Sequence, residues 1–149
     1  MTTPTNSHAL LASYLDSITG AQPFDWHTHN CGHFAGHWWA AATGNDALLG
    51  LPMPPTAEAA GTWLVQQGSS LGSLVGQRLA RRSIDPRLAQ AGDVVIIGRG
   101  YAPSGGAAGL GAALGICTGR QAAMLSKDGT VVYLPMVGVS SAFPLRAPQ

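Results

Sequence analysis

The stretch Asn30-Cys31-Gly32-His33-Phe34-Ala35-Gly36-His37-Trp38-Trp39-Ala40-Ala41-Ala42, followed by Thr43-Gly44-Asn45-Asp46, reads as one capped helix. Cys31, Phe34, Ala35, Trp38 and Ala42 recur at helical spacing and form an apolar stripe. Asn30 is a natural N-cap, and the Thr-Gly-Asn-Asp run is a natural exit. Cys31 therefore falls in the first turn. There the unpaired backbone N–H groups and the positive end of the helix dipole favour thiolate. Cysteine hydrolases keep their nucleophile in such a position. They also need a general base, usually histidine, and a third group that orients it. All five histidines, His8, His27, His29, His33 and His37, lie upstream of residue 38.

Working outward, residues 1–7 read as a flexible N-terminus. Leu10, Leu11, Tyr14, Leu15 and Ile18 predict a helix over 8–19, which Gly20 stops. A loop over 21–30 carries Phe24, Trp26, His27 and His29. Downstream, a Pro-rich connection over 48–55 leads to a helix over 57–67 capped by Thr56. Another helix follows near 71–82, capped by Ser69 or Ser70 and weakened by Gly72 and Gly76. Asp85-Pro86 is a breaker. Short apolar runs then predict strands over 93–97, 112–118, 121–125 and 130–134, with a last strand within 137–145. Lys127-Asp128-Gly129 is a hairpin turn. Helices come first and an antiparallel meander second, which makes residues 1–149 a single α+β domain. The loop over 98–111 holds six glycines but lacks the Gly-Lys-Ser/Thr ending of a phosphate cradle.

Composition narrows the classes. Apolar residues make up 46% of the 149, enough for a core. Charged residues make up 10%, against roughly 25% in an average soluble domain. The net charge of +1 excludes an electrostatically driven nucleic-acid binder. No apolar run approaches the ~20 residues of a membrane span. The polar start lacks the regions of a signal peptide. The two cysteines, Cys31 and Cys117, are too few for a disulfide scaffold, and Cys117 reads as a buried free thiol.

Trp26 with Asn30-Cys31-Gly32-His33-Phe34 resembles the nucleophile motif of NlpC-type cell-wall peptidases, small papain-like enzymes. Ala91-Gly92-Asp93-Val94-Val95-Ile96 is similar to that family's Gly-Asp strand. Ala113-Leu114-Gly115-Ile116-Cys117 is similar to the strand that carries its catalytic histidine. The order and spacing resemble most closely a group of small phage and prophage proteins of that superfamily, over residues 8–146. The resemblance implies a papain-like domain, with N-terminal helices packed on a small antiparallel sheet. It also implies a place near the tail tip of a phage, among other tail proteins, in the virion.

Two positions depart from the family pattern. Asn30 stands where the family has Asp before the Cys, and Ala113 stands at the catalytic histidine position. A methyl group cannot take a proton. Cys117 is four residues beyond Ala113 on the same face, roughly 13 Å along a strand, and does not replace the base. Two classes then compete. One is a structural tail component on a degenerate peptidase fold. The other is an active cysteine peptidase or amidase on peptidoglycan peptides, with Cys31 as nucleophile and His27 or His29 folded back as base. A third class is a metal-binding module, in which His33 and His37, one helical turn apart, grip a divalent ion. No cofactor is expected.

The tryptophans read as core or interface residues rather than as a sugar-stacking platform. Trp38 shares the Cys31 stripe; Trp39 must face another way, toward the helix over 57–67 or a partner chain. Arg78, Arg81 and Arg82 end a helix, where cations suit the dipole. The low charge, the altered site and the Gly-rich loop together point to a surface covered by other chains.

Overall fold

The structure, a computed structural model, describes residues 7–20, 30–49, 71–98, 112–126 and 128–146. Three helices lie within them: α1 (Ser7–Asp16), α2 (Cys31–Thr43) and α3 (Leu71–Leu79). Five strands follow: β1 (Val94–Gly98), β2 (Ala112–Cys117), β3 (Gln121–Leu125), β4 (Val131–Pro135) and β5 (Val139–Phe143). The α+β order expected from the sequence is the observed one. Ser7, expected in the flexible start, opens α1, and Gly98, expected in the glycine loop, closes β1. The expected helix over 57–67 and the rest of that loop lie outside the described residues.

The strands form one antiparallel sheet in the order β4-β3-β2-β1-β5. β1 to β4 are the expected meander. β5 does not continue it but returns beside β1, pairing Val94 with Phe143 and Val95 with Ala142. The reason is burial. Val94, Val95, Ile96 and Ile97 are all buried and need cover on both faces and both edges. β4, with Tyr133 half exposed, suits an outer edge. Ile84 in turn caps β5, donating its N–H to the Ala142 carbonyl at 2.8 Å and accepting the Ala142 N–H at 3.3 Å.

The core sits between the helices and the sheet. α2 packs on β2 and β3, α1 on α2, and α3 on β5. Trp38 and Trp39 are both buried. Trp38 Nε1 donates to the Gly92 carbonyl at 2.8 Å. Trp39 lies under Arg81, whose guanidinium carbon is 5.3 Å from the ring centre. The helix over 57–67 that Trp39 is expected to meet lies outside the described residues; among those described, Arg81, just past α3, covers its ring. Tyr14 of α1 donates its hydroxyl to the Phe34 carbonyl and meets the rings of Phe34 and Trp38.

Gly92-Asp93 explains itself physically. Gly92 has φ +98°, and a Cβ there would stand 2.9 Å from Leu145 Cδ2. The buried Asp93 carboxylate accepts the N–H of Gln90 on one oxygen, at 2.9 Å, and that of Leu145 on the other, at 2.8 Å. It clasps the approach to β1 to the segment after β5.

Candidate functional site

Cys31 begins α2, and its cap is complete. Asn30 is extended, with φ −119° and ψ −177°. Its side-chain oxygen accepts the His33 N–H at 3.0 Å, while His33 Nδ1 accepts the Asn30 N–H at 3.4 Å. This is a reciprocal capping box with histidine in the third helical position. At the other end Gly44, at φ 79°, donates its N–H to the Ala40 carbonyl at 2.8 Å. The expected Asn cap and Gly exit are both present.

Cys31 is 1% exposed. Burial pushes its pKa up. The backbone N–H groups of Leu114, of Cys31 itself and of Gly32 act against that push without cancelling it. The helix start thus supplies the donors that the sequence implied. Desolvation, which position along the chain does not reveal, outweighs them, so the thiol is the favoured form at neutral pH.

The Leu114 contact follows from the sheet. β2 and β3 are in register at Ile116↔Ala123 and Cys117↔Ala122 and no further toward Leu114. Cys117 donates to the Asp93 carbonyl on the β1 side, and Thr118 donates to the Gln121 carbonyl on the β3 side. By alternation the Leu114 N–H points to the β3 side, beyond the end of that ladder. There it lies close enough to the Cys31 sulfur to lower the pKa of the thiol. Gly115 permits the close approach of β2 and β3, since a Cβ there would stand 2.7 Å from the Ala123 carbonyl oxygen.

The strand segment expected to carry the base is therefore beside the cysteine. Its side chain at the expected place is the Ala113 methyl, fully buried. His27 and His29, with Trp26 and Trp63, lie outside the described residues. His33 and His37 face each other along α2 with ring centres 6.4 Å apart. The cap occupies Nδ1 of His33. Among the described residues no group of three His, Cys, Asp or Glu is placed to hold a metal. Cys117 is buried, its thiol pushed up by burial, and its sulfur accepts the Gly119 N–H at 3.3 Å. It belongs to the turn between β2 and β3.

Two features of the site were not legible in side-chain chemistry. The Leu114 donor is a backbone group exposed by a ladder that ends early. The Asp93 clasp joins residues 52 positions apart. The only trace of either in the sequence is small size at Gly115 and Gly92.

A groove of about 1030 Å³ lies elsewhere, between α3 and β5; its walls include Gly76, Gln77, Arg81, Arg82, Ser141 and Phe143, and Cys31 takes no part in it.

Residues 4–145 match the model of a family described as a domain of unknown function, DUF6950. No curated protein matches the chain.

Proposed function

We propose, starting from a chain that belongs to the DUF6950 family, that this protein is a structural component built on a papain-like peptidase scaffold that no longer catalyses, and that it works in a phage tail near the tip. One observation carries the loss of catalysis. The Cys31 thiol is buried and shifted toward its neutral form, and the strand position expected to hold the base carries only the buried methyl of Ala113. A papain-like nucleophile needs the opposite: an accessible sulfur, a base that removes its proton, and an orienting group. Removing one member of such a unit removes nearly all of its rate advantage. The tail location rests on the resemblance of the motif order to small phage proteins of the NlpC-type superfamily. The low charge of the chain supports it, since a subunit covered by neighbours has little need of a charged surface.

The test has two arms. Native protein at neutral pH is treated with iodoacetamide and digested, with a urea-unfolded sample alongside. Cys31 is expected to label only after unfolding; rapid native labelling would restore the enzymatic reading, with peptidoglycan peptides as substrate. In the second arm a phage bearing Cys31→Ser is assembled and its tails are purified. Normal infectivity, with the protein retained on the tails, is expected. Protein found only free in the lysate defeats the structural role.

A further inference from the structure

We propose that the capping box at the start of α2 is a proton-sensitive latch: it closes on the neutral His33 ring and loosens when that ring takes a proton. The Asn30 N–H donates to His33 Nδ1 at 3.4 Å, and the His33 N–H donates to the Asn30 side-chain oxygen at 3.0 Å. Glu or Gln usually holds the third helical position of such a box, and their carbonyl oxygens accept at any working pH. Histidine accepts on Nδ1 only while that nitrogen keeps its lone pair. Its ordinary titration falls between about pH 5 and 8.

The bond fixes the tautomer. A neutral ring that accepts on Nδ1 carries its proton on Nε2. A second proton therefore enters on Nδ1, against the Asn30 N–H. Two N–H groups then point at one another and the bond is lost. The new cation also sits in the first helical turn, at the positive end of the dipole. Both effects have the same sign, so each loosens the helix start as pH falls. Cys31, Gly32 and Phe34 are buried beside the ring, which keeps the turn closed in most molecules. The proton changes how often it opens.

The ring is half-buried, within reach of solvent protons. On α2 itself, His37 is exposed with its ring centre 6.4 Å away, and Cys31 is buried with its thiol pushed toward the neutral form. α1, β2 and β3 pack against α2. β2 and β3 carry no charged side chain, and their titratable group, Cys117, accepts the Gly119 N–H in its own turn. α1 brings His8, Asp16 and Tyr14, and Tyr14 is committed to the Phe34 carbonyl. Asp25, His27 and His29 lie outside the described residues, and a variant at His33 alone separates their titration from its own. The latch makes no use of Cys31 chemistry, so it stands or falls apart from the tail reading.

The experiment is amide hydrogen exchange on the full chain, read by NMR near about pH 7.5 and about pH 5.5 and corrected for the intrinsic pH dependence of exchange. The N–H groups of Asn30, His33 and Phe34 make the cap and the first helical bond. Their protection is expected to fall by about tenfold at the lower pH, relative to Trp38 and Trp39 further along the helix. His33→Gln, whose acceptor does not titrate, should keep its protection at both values, and His37→Asn should show the same fall as the wild type. Ring nitrogen shifts of His33 in the wild type need no variant and should show an unprotonated Nδ1 at neutral pH. The proposal is overturned if Nδ1 carries the proton there, or if protection at the three amides is equal at both values. It is also overturned if His33→Gln loses protection as the wild type does, which assigns the effect to another titrating group.

Discussion

The Leu114 N–H lies beside the Cys31 sulfur, at the point where β2 and β3 part, and lowers the pKa that burial raises. The first turn of α2 is thus set against the sheet. In a papain-like enzyme the same neighbourhood is reserved for proton transfer.

Cys31→Ala removes the buried sulfur that fills the space beside the Leu114 N–H, a loss of about 1–3 kcal/mol. Cys31→Ser fills part of that space and should recover part of it. Urea unfolding should place the midpoints in the order wild type, Ser, Ala. An alanine variant as stable as the wild type would show that the sulfur contributes nothing.

Ala113→His tests the departure from the peptidase pattern directly. Ala113 is fully buried, so an imidazole overpacks the site. A loss of about 1–3 kcal/mol in urea melts is expected. A variant as stable as the wild type would mean that room for the base is still present.

Asp93 predicts a pH dependence. Burial raises its pKa above the ordinary 3.8, although the N–H groups of Gln90 and Leu145 and the charge of Arg146 oppose the rise. The folded state therefore holds this proton more tightly than the unfolded chain does. The stabilisation is full below about 3.8 and is lost as pH rises through the higher folded value. In Asp93→Asn that slope disappears, so the Tm difference between wild type and variant should shrink as pH rises across this window. The amide also offers one acceptor in place of two, which costs about 1–3 kcal/mol at every pH. A flat difference across the window contradicts the raised pKa.

Gly115→Ala should destabilise by about 1–3 kcal/mol. Its Cβ would meet the Ala123 carbonyl at 2.7 Å and Ile97 Cδ1 at 2.9 Å, and the backbone oxygen has nowhere to move. Thermal unfolding reads the change. Wild-type stability in this variant would mean that β2 and β3 are further apart.

Local patterns carried most of the fold. The α2 stripe, its Asn30 cap and its Gly44 exit are short-range signals, and α2 lies where they put it. The strands of the meander were likewise legible, since each pairs with its neighbour in the chain. β5 was not legible as a partner of β1, because Val94↔Phe143 is a long-range pairing with no local signature. For the site, Cys31 at the helix start was legible and its burial was not. Solvent exposure depends on what the sheet brings over the sulfur. The cover that Arg81 gives Trp39 was illegible for the same reason, since it comes from a residue after α3.

α2 is fastened midway along its length, by Trp38 Nε1 to the Gly92 carbonyl just ahead of β1, and its first turn lies against β2 at Leu114. Sliding the helix by one residue is a displacement of about 1.5 Å, enough to break the Trp38 bond. Helix and central strands are therefore expected to resist sliding past one another and to shift as one unit.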